Sequence, residues 1–172
     1  AQLSAKVNEA IPENFAELAA DQIPWNNPHW HPAHGGIYRN VRLHVTDPLH
    51  ISLPLYSFLA TAGPYVYAAD LTDASARVTV EVPVENGRSS PAPVEMRAEF
   101  FDAGGKSVLV LNETQSVAAG ARMSFKVSGL LSRPRLWEPA YPHVYRVVCA
   151  LRVRGEMVDR TDVPLGIRSA RW

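Results

Sequence analysis

From Val78 onward the chain alternates apolar and polar residues over short segments separated by turn-forming residues, the period-two pattern of half-buried antiparallel strands. Val78, Val80, Val82 and Val84 alternate with Thr79, Glu81 and Pro83, and Asn86-Gly87 follows as a turn that tolerates positive φ. Pro83 has no N–H to give a ladder, which predicts an edge or bulged strand. Val94, Met96, Ala98 and Phe100 share one face and Glu95, Arg97 and Glu99 the other, up to the turn at Asp102-Ala103-Gly104-Gly105. That turn predicts a hairpin into Ser107 to Leu111. A weaker strand near Thr114 to Val117 turns at Ala119-Gly120 into Ala121 to Val127. After a loop rich in proline and tryptophan, Val144 to Val153 buries alternate positions, turns at Gly155 and pairs with Met157 to Val163. Short strands at this spacing predict an all-β, immunoglobulin-like antiparallel sandwich over 67–172.

Residues 1–66 read differently. They offer a strand at Leu3 to Val7, a helix-capable stretch at Glu13 to Ala20, and a loop crowded with aromatics and histidines. A good strand follows at Arg39 to Val45, and a candidate strand at Leu49 to Leu55. So few strands have no second layer to cover their apolar face. This third is therefore expected to be the tail of a preceding β domain, with the link to the sandwich near Thr61 to Pro64.

Composition agrees with the all-β reading, since 14 prolines interrupt the chain too often for most helices. The 17 basic and 17 acidic side chains cancel and are spread along the sequence, which argues against nucleic acid or anionic lipid as a partner. No apolar run approaches the roughly 20 residues of a membrane-spanning helix, and no basic start with an apolar centre marks a signal peptide. The compartment stays open. The single Cys149 has no partner within the chain, and its apolar neighbours predict a packed thiol.

Three stretches, in order, resemble the family 2 glycoside hydrolases, the group of β-galactosidases, β-glucuronidases and β-mannosidases. Gly35-Gly36-Ile37-Tyr38-Arg39 is similar to the family's Gly-Gly-Ile-Tyr-Arg stretch at the end of an N-terminal jelly roll. Pro134-Arg135-Leu136-Trp137-Glu138-Pro139 with Pro142-His143-Val144-Tyr145 is similar to its Pro-x-Leu-Trp-x-Pro signature and downstream Pro-x-Leu-Tyr. Gly166-Ile167-Arg168 falls where the family carries Gly-Phe-Arg, at the passage into a catalytic (β/α)8 barrel. The resemblance implies residues 1–66 as the C-terminal part of the jelly roll and 67–172 as the immunoglobulin-like domain. It also implies adjacent domains of a parent glycosidase as partners, and places the catalytic glutamates in a barrel that the sequence does not reach. None of Glu81, Glu95, Glu99 or Glu138 is expected to inherit those roles. Oligomeric state is not legible.

Retaining glycoside cleavage needs two carboxyl groups about 5 to 5.5 Å apart. Glu95 and Glu99 share a strand face, but four residues at about 3.4 Å each set them too far apart, with Arg97 between. The expectation is a solvated face and no catalytic residue. Sugar contact has a better candidate in the loop Asp21 to His34. Trp25 and Trp30 offer flat apolar faces for sugar rings, and Asn26, Asn27, His29, His31 and His34 offer hydrogen bonds to hydroxyls. By the resemblance, Asp21 is the candidate match for an acidic residue on a jelly-roll loop near the barrel's active site. The same tryptophans would equally serve to pack against a neighbouring domain. His29, His31 and His34 have the number of ligands for zinc, but Pro28 and Pro32 break the segment, so no metal and no cofactor is expected. Tyr38 and Arg39 are expected at the domain junction, and Trp137 is expected to plug the core end with Tyr141 and Tyr145 beside it.

The leading expectation is a non-catalytic support region of a β-galactosidase-like enzyme of carbohydrate metabolism. A free-standing carbohydrate-binding module, favoured by the Trp and His loop, and a protein-interaction sandwich remain alternatives.

Overall fold

The computed structural model describes residues 45–52 and 63–168. The chain divides between His44 and Val45, and the fold described is that of the part beginning at Val45. It contains β1 (Leu49–Ile51), β2 (Tyr65–Ala69), β3 (Ser75–Asn86), β4 (Ala92–Phe101), β5 (Ser107–Val117), β6 (Arg122–Ser132), β7 (Tyr145–Val153) and β8 (Glu156–Leu165), with no helix among the described residues.

In the first sheet β3 pairs with β6 along its whole length on one edge and with β1 and β2, end to end, on the other. The second sheet runs β5-β4-β7-β8, and every pairing in both sheets is antiparallel. This is an immunoglobulin-like sandwich in which β5 pairs with β4, rather than with β6 as the corresponding strand of a constant-type domain would.

The alternation legible in the sequence becomes the two faces of each sheet. Val78, Val80, Val82 and Val84 of β3 are fully buried against Val94, Met96, Ala98 and Phe100 of β4 and Val147, Cys149 and Leu151 of β7. Valine suits this role because its branched side chain is stiff and fills a pleated surface. The other face of β3 carries cross-strand ion pairs, Glu81 with Lys126 at 2.7 Å and Glu85 with Arg122 at 3.0 Å. Cys149 is packed as expected, and burial, aided by the Asp162 carboxylate, pushes its thiol up to about 12. Gly105, Gly120 and Gly155 hold positive φ at the three expected hairpin turns.

Several expectations change. Asn86-Gly87 is not a positive-φ turn. Asn86 ends β3 fully buried, and Gly87 is the point where its N–H reaches the Pro48 carbonyl at 2.8 Å. A Cβ there would lie 3.1 Å from that oxygen. Pro83 sits in a strand with neighbours on both sides, not in an edge strand. Its carbonyl accepts the Ser52 N–H at 2.9 Å, so its nitrogen faces the same edge, at the gap between β1 and β2. The missing N–H therefore leaves the β6 ladder intact.

The two segments expected around Ser107 to Leu111 and Thr114 to Val117 are one strand, β5, because a polar stretch is tolerated at a sheet edge. β1 lies ahead of the expected link yet pairs with β3, and β2, which alternation did not reveal, adds Tyr65–Ala69 to the same edge. The strand expected over Arg39 to Val45 lies outside the described residues except for Val45, which is 86% exposed and outside any strand.

Candidate functional site

Asp21, Trp25, Asn26, Asn27, His29, Trp30, His31 and His34 lie outside the described residues, as do Tyr38 and Arg39. The described part therefore bears on two other questions: whether it carries a cleaving pair of carboxylates, and which of its surfaces is built for contact.

Glu81, Glu85 and Glu99 are engaged in ion pairs across or along the strands. The Ser107 hydroxyl and the Arg97 guanidinium hold the Glu99 carboxyl below its ordinary range, with Arg97 Nη2 3.0 Å from Glu99 Oε2. Lys126 does the same for Glu81 and Arg122 for Glu85. A general acid needs the opposite shift, since it must keep its proton near neutral pH. A cleft of about 500 Å3 between Arg88, Pro91, Val153 and Arg154 contains Glu156 as its one carboxylate. A smaller one of about 170 Å3 on the outer face of β4 and β7 holds Glu99 among Arg97, Arg152 and Arg160. Neither presents the facing pair that retaining cleavage requires.

The segment Asp47–Ser52 is fastened to both sheets. Asp47 opens it with an Asx turn, its Oδ1 accepting the Leu49 N–H at 2.7 Å and the Arg88 Nη2 at 2.8 Å. The Leu49 N–H and then Arg88 hold the Asp47 carboxyl below its ordinary range. Ile51 N–H donates to Asp159 Oδ2 of β8 at 2.7 Å, a bond from one sheet to the other. Beneath the segment, the Asn86 amide nitrogen donates to the carbonyls of Ser90, Val117 and Ala118, and its Oδ1 accepts the Arg88 N–H. Asp47, Arg88 and Asp159 were not singled out from sequence, and an Asp-Pro ahead of an apolar pair is the one local signal for the turn.

The loop between β6 and β7 is different. The Trp137 N–H donates to the Ile167 carbonyl at 2.7 Å, and the indole lies on Gly166, where a Cβ would stand 3.2 Å from Cγ and Cδ1. The Arg168 guanidinium carbon lies 5.1 Å from the indole centroid. Trp137 is thus half-buried on the surface of β8's exit rather than a plug of the core end. Tyr145 is buried, accepts the Arg135 N–H on its hydroxyl at 2.7 Å, and meets the His143 ring edge-on with centroids 4.7 Å apart. Tyr141 does not join that cluster and is 76% exposed. Leu136 and Val144 of the same loop are also exposed. Two separate shallow depressions lie along the loop, about 270 Å3 lined by Trp137, Val144, Pro164 and Arg168 and about 470 Å3 lined by Leu136, Tyr141 and His143.

Residues 64–168 match the model of the glycosyl hydrolases family 2. The chain is also 38% identical, over 97% of its length, to a β-glucuronidase from Formosa agariphila. It belongs to glycosyl hydrolase family 2. A β-galactosidase from Bacteroides ovatus is 26% identical over 91% of the chain. A solved family 2 β-glucuronidase superimposes on 84% of the chain with a TM-score of 0.78 and 41% identity. The family 2 chain spans only 17% of the length of each of the two relatives and 15% of the solved chain. It corresponds to a small, non-catalytic segment of such enzymes, and the matched residues include the Trp137 loop and the Gly166-Ile167-Arg168 exit.

Proposed function

We propose that the chain is the β-sandwich support region of a retaining O-glycosidase of the β-glucuronidase and β-galactosidase kind. In this reading it holds a preceding jelly roll, ending in the residues before Val45, against a catalytic barrel supplied by the remainder of a longer gene product. One observation carries the reading: the chain aligns over 97% of its length with a β-glucuronidase of which it makes up 17%. The carboxylates held at low proton affinity by Lys126, Arg122 and Arg97 support it, because none is arranged to protonate a leaving group.

The test is hydrolysis of nitrophenyl β-glucuronide, β-galactoside and β-mannoside by the chain and by the full-length gene product. Activity in the longer product alone is the expected result, and its preferred glycoside names the enzyme. Turnover by the 172-residue chain would overturn the reading. Within this proposal the Asp21 to His34 loop is the sugar-contacting segment of the preceding domain. Trp25→Ala in the longer product is then expected to raise KM severalfold while leaving the melting of the sandwich unchanged. An unchanged KM would assign the loop to packing.

A further inference from the structure

The outer face of the second sheet sets its charges in rows. Across β4, β7 and β8 the register places Arg97, Ala150 and Arg160 side by side, with Glu99, Val148 and Asp162 in the row on one side and Glu95, Arg152 and Met157 in the row on the other. Arg97 and Arg160 therefore stand two strand spacings apart, about 10 Å, with only an alanine methyl between them. Ala150 becomes the floor of the depression of about 170 Å3, walled by Arg97, Arg152 and Arg160 and by the apolar Phe101, Val148 and Met157. Two of these arginines are met from one side by carboxylates of the neighbouring row: Arg97 Nη2 lies 3.0 Å from Glu99 Oε2, and Arg160 Nε lies 3.5 Å from Asp162 Oδ1. Each such contact occupies one edge of a group that has five N–H donors. Arg152 makes no ion pair among the described residues, and its Nη1 donates to the Gly155 carbonyl at 3.1 Å. Arg146, the fourth arginine of this face, engages Asp162 at 3.1 Å and lies over the Phe101 ring.

We propose that this depression is a binding site for a carboxylate-bearing sugar, a uronic acid residue, whose carboxylate sits between Arg97, Arg152 and Arg160 and whose ring lies on Val148 and Met157. The preference for an anion follows from the charges. Three guanidinium groups meet at the depression, and Glu99 is the one carboxylate that lines it. The outward-facing residues of the three strands as a whole set four arginines against Glu95, Glu99 and Asp162. Glu99 and Asp162 fix the directions of Arg97 and Arg160, so little freedom is left to lose when an anion arrives. The planar fork of a guanidinium matches the two oxygens of a carboxylate. A sugar is preferred to a bare oxyanion because half of the wall is apolar, and an inorganic ion would leave Val148 and Met157 uncovered. The volume suits one residue rather than a chain. Uronic acid as the particular carboxylate sugar rests on the support-region reading, in which the parent enzyme is of the β-glucuronidase and β-galactosidase kind.

The experiment follows the NMR signal of the Met157 methyl group, isotope-labelled and assigned by Met157→Leu, in the 172-residue chain and in the full-length product. A reporter in the wall of the depression reads this site whatever else the protein binds. Sodium glucuronate is expected to shift the signal saturably, glucose to leave it in place, and acetate and sulfate to bind more weakly than glucuronate. Arg152→Gln and Arg160→Gln are each expected to weaken glucuronate binding about tenfold, as the loss of one hydrogen bond to a charged group does. Ala150→Leu, which fills the floor and keeps every charge, is expected to abolish it. Thermal melting of each variant checks that it folds, and the two arginine variants decide the matter if Ala150→Leu does not. Absence of a saturable shift overturns the proposal, and so does an equal response to glucose. Acetate or sulfate binding as tightly as glucuronate overturns the assignment to a sugar. Undiminished affinity in a folded Ala150→Leu, or in both arginine variants, overturns the site itself and leaves only diffuse attraction to surface charge. Hydrolysis of the nitrophenyl glycosides by the full-length product separates this proposal from the reading it rests on: an active product without the shift sinks the uronate site alone, and a saturable shift in a product that cleaves none of them sinks the enzyme reading alone.

Discussion

The segment Asp47–Ser52 and the loop Pro134–Val144 are both irregular stretches at the margin of the same sandwich, and they spend their chemistry in opposite ways. In the first, polar groups find partners inside the fold: Asp47 on Leu49 and Arg88, Ile51 on Asp159, Ser52 on Pro83. Leu49 and Ile51 point into the core at 0% and 2% exposure. In the second, the hydrogen bonds hold the backbone while Leu136, Tyr141 and Val144 face solvent. A segment whose polar and apolar groups are all consumed internally serves stability. One whose backbone is hydrogen-bonded while its apolar side chains face solvent leaves that apolar area uncovered by the sandwich itself.

The comparison breaks if substitutions in the two regions have similar effects on this chain. The largest effect is expected at Asn86, which underlies the first segment. Asn86→Ala strands the buried carbonyl of Val117 and removes the donor from the part-buried carbonyls of Ala118 and Ser90, and should cost about 3 kcal/mol by denaturant unfolding, a buried orphaned group costing about 1 to 3. Arg88→Ala removes a half-buried ion pair and is expected to cost about 1 kcal/mol.

Acid sharpens the same point. The Asp47 carboxyl is held below its ordinary value in the folded state, so its contribution is present above the unfolded value of 3.8 and is lost as pH falls through the lower folded one. Melting temperature should therefore fall below about pH 4 in the unsubstituted chain, and less steeply in Arg88→Ala, where one cause of the depression is gone. A parallel fall in the two proteins would show that the pair does not contribute. The smallest effect is expected in the second region: Tyr141→Ser should change the stability of this chain by less than about 0.5 kcal/mol, as an exposed side chain with no internal partner does.

Legibility from sequence follows the same division. β4, β6, β7 and β8 were readable because their inner residues recur at every second position and their turns carry glycine. β2 was not, since Tyr65–Ala69 is half-exposed on both faces and owes its strand form to the edge of β3 that it completes. β1 was legible as a strand but assigned to the wrong neighbour, because alternation states that a face is buried and not what buries it. The Asp21 to His34 residues, drawn from their chemistry and a resemblance, lie outside the described part, so the candidate surface identified in the sandwich is one that no single residue type announces.

By itself the sequence determined the all-β class, the inward rows of valine and of Met96, Phe100 and Phe125, the packed Cys149 and the family. Each of these follows from local periodicity, turn chemistry or a short ordered signature. Only the tertiary structure decided that Pro83 sits where one strand ends and another begins, that Asn86 is a buried hub, and that Asp159 reaches across to β1. It alone set Trp137 against Gly166, leaving an apolar face around the exit of β8. These joins bring together residues about thirty to more than a hundred positions apart, as Trp137 with Gly166 and Ile51 with Asp159 show. Their partners are chosen by how the sheets stack, which no local pattern encodes.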